Sequence, residues 1–166
     1  MKFWLTAAGL ALLAACSPKE GASGPYDYCA AGKTTSLFLI DRTTPPDAMD
    51  RSVMMDSLAT VVDSLGHGDR IVVATIGPHY TNTERLVNAC KPGCPDNQGA
   101  VDYMLGQCSA MQAKADERVF MGKLVQALEP VTEQPDESAT SDIVRTIAQW
   151  TQNPPGGRTF STVYIF

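Results

Sequence analysis

The sequence predicts an α/β fold with a largely parallel sheet. Three observations carry that prediction. Short apolar runs bounded by polar residues occur at Ser36 to Ile40 and Ile71 to Ile76, and another closes the chain from Phe160 to Phe166. A helix-period apolar face lies between the first two runs. Further helix-period segments separate the second run from the last. Strands apolar on both faces, alternating with helices, mark a sheet covered by helices.

The elements follow in order. Ser36 to Ile40 reads Ser-Leu-Phe-Leu-Ile, a buried central strand that gives way to Asp41-Arg42-Thr43-Thr44-Pro45-Pro46. Met54, Leu58, Val61, Val62 and Leu65 then share one helical face. Pro46 suits that helix's first turn, and Asp47 and Asp50 suit its positive end. Gly66 and Gly68 stop it. Ile71 to Ile76 is the second strand, broken by Gly77-Pro78. Arg85 to Ala89 reads as a third strand returning after a turn at Tyr80 to Thr83.

Lys91-Pro92-Gly93 with Pro95 is loop. Val101, Met104, Leu105, Cys108, Met111 and Ala115 mark another helical face, continued by Phe120, Leu124 and Leu128. Pro130 is expected to end it, with Glu129 to Ala139 as polar linker. Ser141 suits the N-cap of a last helix carrying Ile143, Ile147 and Trp150. Pro154-Pro155-Gly156-Gly157 is a turn before the final strand. No turn, helix or polar tail follows Phe166, so the chain is expected to stop inside its fold, as a fragment, a frameshift or a truncated gene would produce.

The N-terminal residues carry a different message. Lys2, an apolar run through Leu13 and small residues before Cys16 make a secretory signal over 1–15. Leu13-Ala14-Ala15-Cys16 resembles a bacterial lipobox, which implies that Cys16 is acylated and becomes the new N-terminus. Ser17 behind it implies sorting to the outer membrane, facing the periplasm. Residues 16–28 read as the lipidated Cys and a flexible tether, because Ser17 to Pro25 offers nothing that anchors a core. Residues 29–166 are left as one domain, incomplete at its C-terminus.

Loss of Lys2 with the signal moves the formal net charge from −5 to −6. A mildly acidic chain without a basic run or aromatic–basic interleaving argues against nucleic acid as the main partner. Four cysteines remain once Cys16 is set aside: Cys29, Cys90, Cys94 and Cys108. An even number in an exported chain predicts two disulfides, with three possible connectivities. Ring size favours at least one bridge from the Cys90–Cys94 loop to another segment.

Asp41 ends a central strand just before a helix, where open α/β sheets bind ligands. An Asp beside hydroxyls is also hard-cation chemistry. Here the chain resembles the von Willebrand factor type A family, whose metal site opens with Asp-x-Ser-x-Ser after the first strand. Asp41 matches the leading Asp, and Thr43 keeps the first hydroxyl. Pro45 stands at the second Ser position without a side-chain oxygen. Ser141-Asp142-Ile143 matches the family's later Thr-Asp-Ile-like run, with Ser for Thr. The resemblance implies a doubly wound sheet and a degenerate Mg²⁺ or Mn²⁺ site on Asp41, Thr43 and Ser141. It also implies a protein partner at the cell envelope whose acidic side chain completes the cation's shell. His79, just after the second strand, falls near that edge but reads better as a loop histidine.

Rival patterns are weaker. Cys90-Lys-Pro-Gly-Cys94-Pro95 resembles the copper loop of Sco-type chaperones, and two thiolates suit Cu(I). That family's His follows the cysteines, whereas His67 and His79 both precede them. Gly32-Lys33-Thr34-Thr35 resembles the end of a phosphate loop but has Asp27 where the earlier Gly belongs, and a strand follows it. No Ser-His-Asp or Cys-His order marks an enzyme. The expectation is therefore a membrane-anchored binding module that is not an enzyme. The alternatives are a copper-handling or thiol-redox protein using Cys90 and Cys94, and a truncated copy without function.

Overall fold

The computed structural model describes residues 26–43, 46–95, 108–133 and 140–166. The signal segment, Cys16, the tether up to Pro25, Thr44, Pro45 and the apolar positions Val101, Met104 and Leu105 lie outside the described residues.

The strands are β1 (Thr35–Asp41), β2 (Arg70–Ile76), β3 (Arg85–Cys90) and β4 (Thr162–Ile165). They form one four-stranded sheet in the order β3-β2-β1-β4. β1 is parallel to β2 and to β4, whereas β3 pairs antiparallel with β2. The architecture is α/β with a mixed sheet. The antiparallel edge follows from chain length. Only a short loop with a 3-10 turn at Tyr80–Asn82 joins β2 to β3. A parallel crossover needs a dozen or more residues.

The helices are α1 (Ala48–Ser64), α2 (Ala110–Glu133) and α3 (Ile143–Gln152). The pleat sends alternate residues of β1 and β2 to opposite faces. On one face Phe38, Ile40, Ile71 and Val73 pack with the α1 residues Met54, Leu58, Val61 and Val62, and with Phe120, Leu124 and Leu128 of α2. On the other face Leu37, Leu39, Val72, Ala74 and Ile76 are covered by Ile143, Ile147 and Trp150 of α3. Leu37, Phe38 and Leu39 are 0% exposed, so truncating either Leu to Ala costs about 2–5 kcal/mol.

Several expectations about helix ends need correction. Asp47, not a first-turn Pro46, opens α1. Its carboxylate accepts from the Met49 and Asp50 amides, and Asp50 reaches back to the Asp47 amide. This reciprocal box satisfies donors that a helix start otherwise leaves open. α2 runs on to Glu133, so residues 129–133 are helix and Pro130 does not end it. A proline in the last turn removes a single backbone bond, and burial of Val131 favours continuing. Met111 and Ala115 are exposed; the inward face is Ala113, Asp116, Phe120, Leu124 and Leu128. Asp142, not Ser141, holds the cap position of α3 and makes no side-chain cap bond.

The edge where β1 and β2 begin is heavily tied. Cys29 bonds Cys90 (S–S 2.08 Å) and Cys94 bonds Cys108 (S–S 2.05 Å). One of three connectivities is thereby selected, and the Cys90–Cys94 loop is joined to two other segments. Lys33 and Thr34 donate their amides to Asp69 Oδ1, each at 2.8 Å, and Gly66 donates to Oδ2. The Lys33–Thr34 stretch is therefore bound to a carboxylate and leads into a strand, which ends its likeness to a phosphate loop. Lys91 Nζ donates to the carbonyls of Val62 and Leu65 at the end of α1, at 2.9 and 3.0 Å. A cation there also suits the helix dipole. Tyr28, assigned to the tether, is part of the fold: its hydroxyl donates to Asp116.

Candidate functional site

The opposite edge, where β1 and β2 end, carries the motif residues. Asp41 is the last residue of β1 and pairs with Ile76, the last of β2. Thr43 turns back on Asp41. Its amide donates to Asp41 Oδ1 at 2.9 Å and its hydroxyl to the same oxygen at 2.6 Å. This is the Asx-type closure that lets an Asp end a strand in a tight bend. Thr43 is buried, so the pair is a fixed element of the edge. The Thr43 hydroxyl spends its proton on Asp41 and keeps oxygen lone pairs to offer.

The start of α3 comes to the same edge. The Asp142 amide donates to the Gly77 carbonyl at 3.2 Å, and Gly77 directly follows Ile76. Ser141, the adjoining residue, is half-buried and shares the edge. No hydrogen bond joins it to Asp41 or Thr43 among the described residues. The structure thus joins Asp41 to Thr43 directly and brings Ser141 to the edge through its neighbour. Pro45 lies outside the described residues. His79 is exposed and serves by its backbone, its carbonyl accepting from the Asn82 amide at 2.9 Å.

Charges around the edge are largely committed. Arg42 lies 3.7 Å from Glu84, and Asp142 lies 4.0 Å from Arg145. Sequence reading left Asp142 unweighted, although it stands inside the Ser141-Asp142-Ile143 run. Among the described residues no group of three or more His, Cys, Asp or Glu is placed to hold a metal ion. Of Asp41, Thr43 and Ser141, Asp41 alone carries a carboxylate, and the other two offer hydroxyl oxygens.

A shallow cleft of about 390 Å³ lies beside α3, lined by Tyr80, Arg145, Ala148, Gln149 and Gln152. None of the motif residues lines it. The Cys90–Cys94 pair does not form a dithiol, since each sulfur is bonded elsewhere. Comparison with protein-family models, with curated proteins and with solved structures finds no match for this chain.

Proposed function

We propose that this chain is a membrane-anchored envelope lipoprotein carrying a von Willebrand factor A-like interaction domain, with its recognition surface at the edge around Asp41. The observation that supports this reading is the Asp41–Thr43 pair at the end of the central strand, beside the start of α3. The chain leaves β1 for β2 on one side and later returns to β4 on the other. That reversal is where open α/β sheets form their ligand crevice. Helices against both faces also suit a doubly wound arrangement.

Asp41, Thr43 and Ser141 are the residues that would hold Mg²⁺ or Mn²⁺, a hard cation that bridges protein oxygens to a partner's carboxylate. Hard cations depend on ligand number and charge. With one carboxylate in the set, binding by this chain alone is weak, and an acidic partner group strengthens it. The rival copper or thiol-redox reading requires Cys90 and Cys94 as thiols, and both are spent on disulfides.

Calorimetry with Mn²⁺ on the chain and on Asp41→Ala tests the cation site. The expected result is a weak binding heat that Asp41→Ala abolishes while circular dichroism is unchanged. Equal heats for the two proteins remove Asp41 from the site. No heat from either removes the cation and leaves the edge as a metal-independent surface.

A further inference from the structure

α3 is the least secured of the three helices. α1 buries Met54, Leu58, Val61 and Val62 in the core, and α2 buries Phe120, Leu124 and Leu128. In α3 the apolar residues Ile143, Ile147 and Trp150 are only half-buried. Its one fully buried side chain is Thr146, at 0% exposure. The sheet face that α3 covers is nonetheless wholly apolar in its middle, with Leu37, Leu39, Val72, Ala74 and Ile76 buried.

The polar groups at this interface are poorly met. Thr146 Oγ1 and Trp150 Nε1 are buried without a hydrogen-bond partner among the described residues. So is Thr35 Oγ1, and alternation with Leu37 and Leu39 turns Thr35 to the same face. A buried hydroxyl or N–H left unmet carries a desolvation cost that opening to water relieves. The ends of α3 add little. Asp142 makes no side-chain cap bond, whereas α1 has a reciprocal box at its start and Lys91 at its end. With 10 residues, α3 is also shorter than the roughly 12–15 below which isolated helices are marginal in water.

The chain beyond α3 has a place to pivot. Gly156 and Gly157 have φ of 73° and 69°, and nothing lies within 4 Å of an added Cβ at Gly157. Just past them Arg158 donates to the Gly32 carbonyl, and the Ser161 amide donates to the Thr35 carbonyl at 2.8 Å. The approach to β4 is thereby fastened to the start of β1. A few permissive residues beside a fixed segment are what a hinge needs.

We propose that α3 is a hinged cover that lifts off the sheet as a unit while the four strands, α1 and α2 stay folded. The bond from the Asp142 amide to the Gly77 carbonyl breaks on opening, and Ser141 leaves the edge around Asp41. That edge therefore exists in two forms, and a partner that touches both Asp41 and Ser141 selects the closed one. This consequence rests on the recognition surface proposed above; the opening itself does not.

Native-state amide exchange of the full chain in low denaturant tests the opening on wild type, Thr146→Val and Tyr28→Phe. Val keeps the shape of Thr and removes the hydroxyl. Tyr28 is bonded to Asp116 of α2, which packs on the opposite face of the sheet. The amides of Ile147 and Trp150 are expected to be less protected than those of Phe38 and Val72, which wait for global unfolding. Thr146→Val should slow exchange in α3 about tenfold, because it stabilises the closed form. Tyr28→Phe should speed Phe38 and Val72 and leave α3 unchanged. Equal protection of α3 and the strands overturns the proposal, since no separate opening then exists. So does a Tyr28→Phe that speeds α3 as much as Phe38, because α3 then opens only with the whole chain. A Thr146→Val that leaves α3 exchange unchanged or speeds it also overturns it, because the buried hydroxyl then does not favour opening. The Asp41→Ala calorimetry reads the edge itself, so each reading can fail without the other.

Discussion

The Tyr28 hydroxyl donates to Asp116 Oδ2 at 2.8 Å across 88 residues of sequence, closing the segment before β1 onto α2. Gln112 donates to the other carboxylate oxygen, also at 2.8 Å. Asp116 is buried, and both of its oxygens are satisfied. Tyr28→Phe leaves one oxygen short of a donor and is expected to destabilise by about 1–3 kcal/mol. Urea unfolding measures it. Burial first, and then the hydrogen bond to Asp116, push the Tyr28 phenol up from 10.0 to about 12. The folded state therefore holds this proton where the unfolded chain releases it. The contribution is full below pH 10.0 and is lost as pH rises toward about 12. An absorbance titration should show a late tyrosine that is absent in Tyr28→Phe.

Asp69 gives the opposite sign at the acid end. Burial raises its affinity for a proton. The amides of Thr34 and Lys33, a side-chain bond from Thr34 and the Gly66 amide outweigh that and hold the carboxyl below its ordinary 3.8. A lowered folded value contributes stability above the unfolded value and loses it as pH falls through the folded one. Asp69→Asn should lower stability at pH 7 by about 1–3 kcal/mol. It should also flatten the remaining decline below about pH 4. Unfolding curves at stepped pH compare the two slopes.

Non-reducing peptide mapping should recover Cys29–Cys90 and Cys94–Cys108, and no Cys90–Cys94 link. The bridges close loops with separations of 61 and 14 residues. In the chain-entropy account, losing the longer costs about 4 kcal/mol and the shorter about 3 kcal/mol. Paired Cys→Ser variants, unfolded in denaturant, give the order.

Two glycines should respond oppositely to alanine. A Cβ at Gly32 would stand 1.8 Å from the Gly68 carbonyl oxygen, a backbone atom with little room to yield. Gly32→Ala is expected to cost about 1–3 kcal/mol or more. Gly122 lies within α2 with nothing within 4 Å of an added Cβ. Gly122→Ala should stabilise by about 1 kcal/mol through helix propensity. Thermal melts side by side settle both.

Lipidation is tested at Cys16. Cys16→Ser should leave an unprocessed chain or a soluble one. Membrane partition that survives after processing would mean that something other than an acyl chain anchors the protein.

Much of the sheet was legible because burial on both faces writes strands as continuous apolar runs. Ile71 to Ile76 and Ser36 to Ile40 were each extended by one residue or two in the structure. The α1 face was legible from its period. What escaped depended on distant partners. Asp116 interrupts the apolar face of α2 and looks like a solvent position until Tyr28 reaches it. Asp69 stands in a turn and takes the nearby Gly66 amide, but its other two amide donors, Thr34 and Lys33, are 35 and 36 residues away. Met111 fits a helical period with Val101 and Cys108, yet it is 83% exposed. At the candidate site Asp41 and Thr43 were legible as a local pair. The start of α3 was not, because the Gly77 carbonyl that receives it lies 65 residues earlier in the chain.

The Cys29–Cys90 bridge also fixes how the molecule bears a load. Tension arriving along the backbone from the N-terminal side reaches Cys29 before it reaches β1. The covalent link passes part of that force to Cys90, at the end of β3 on the far margin of the sheet. Force entering at β1 alone would draw it out between β2 and β4. Shared with β3, it is borne on both sides of β2, so β1 is not loaded alone. A domain hung from a moving surface by its N-terminal side would thus resist unravelling where it is pulled.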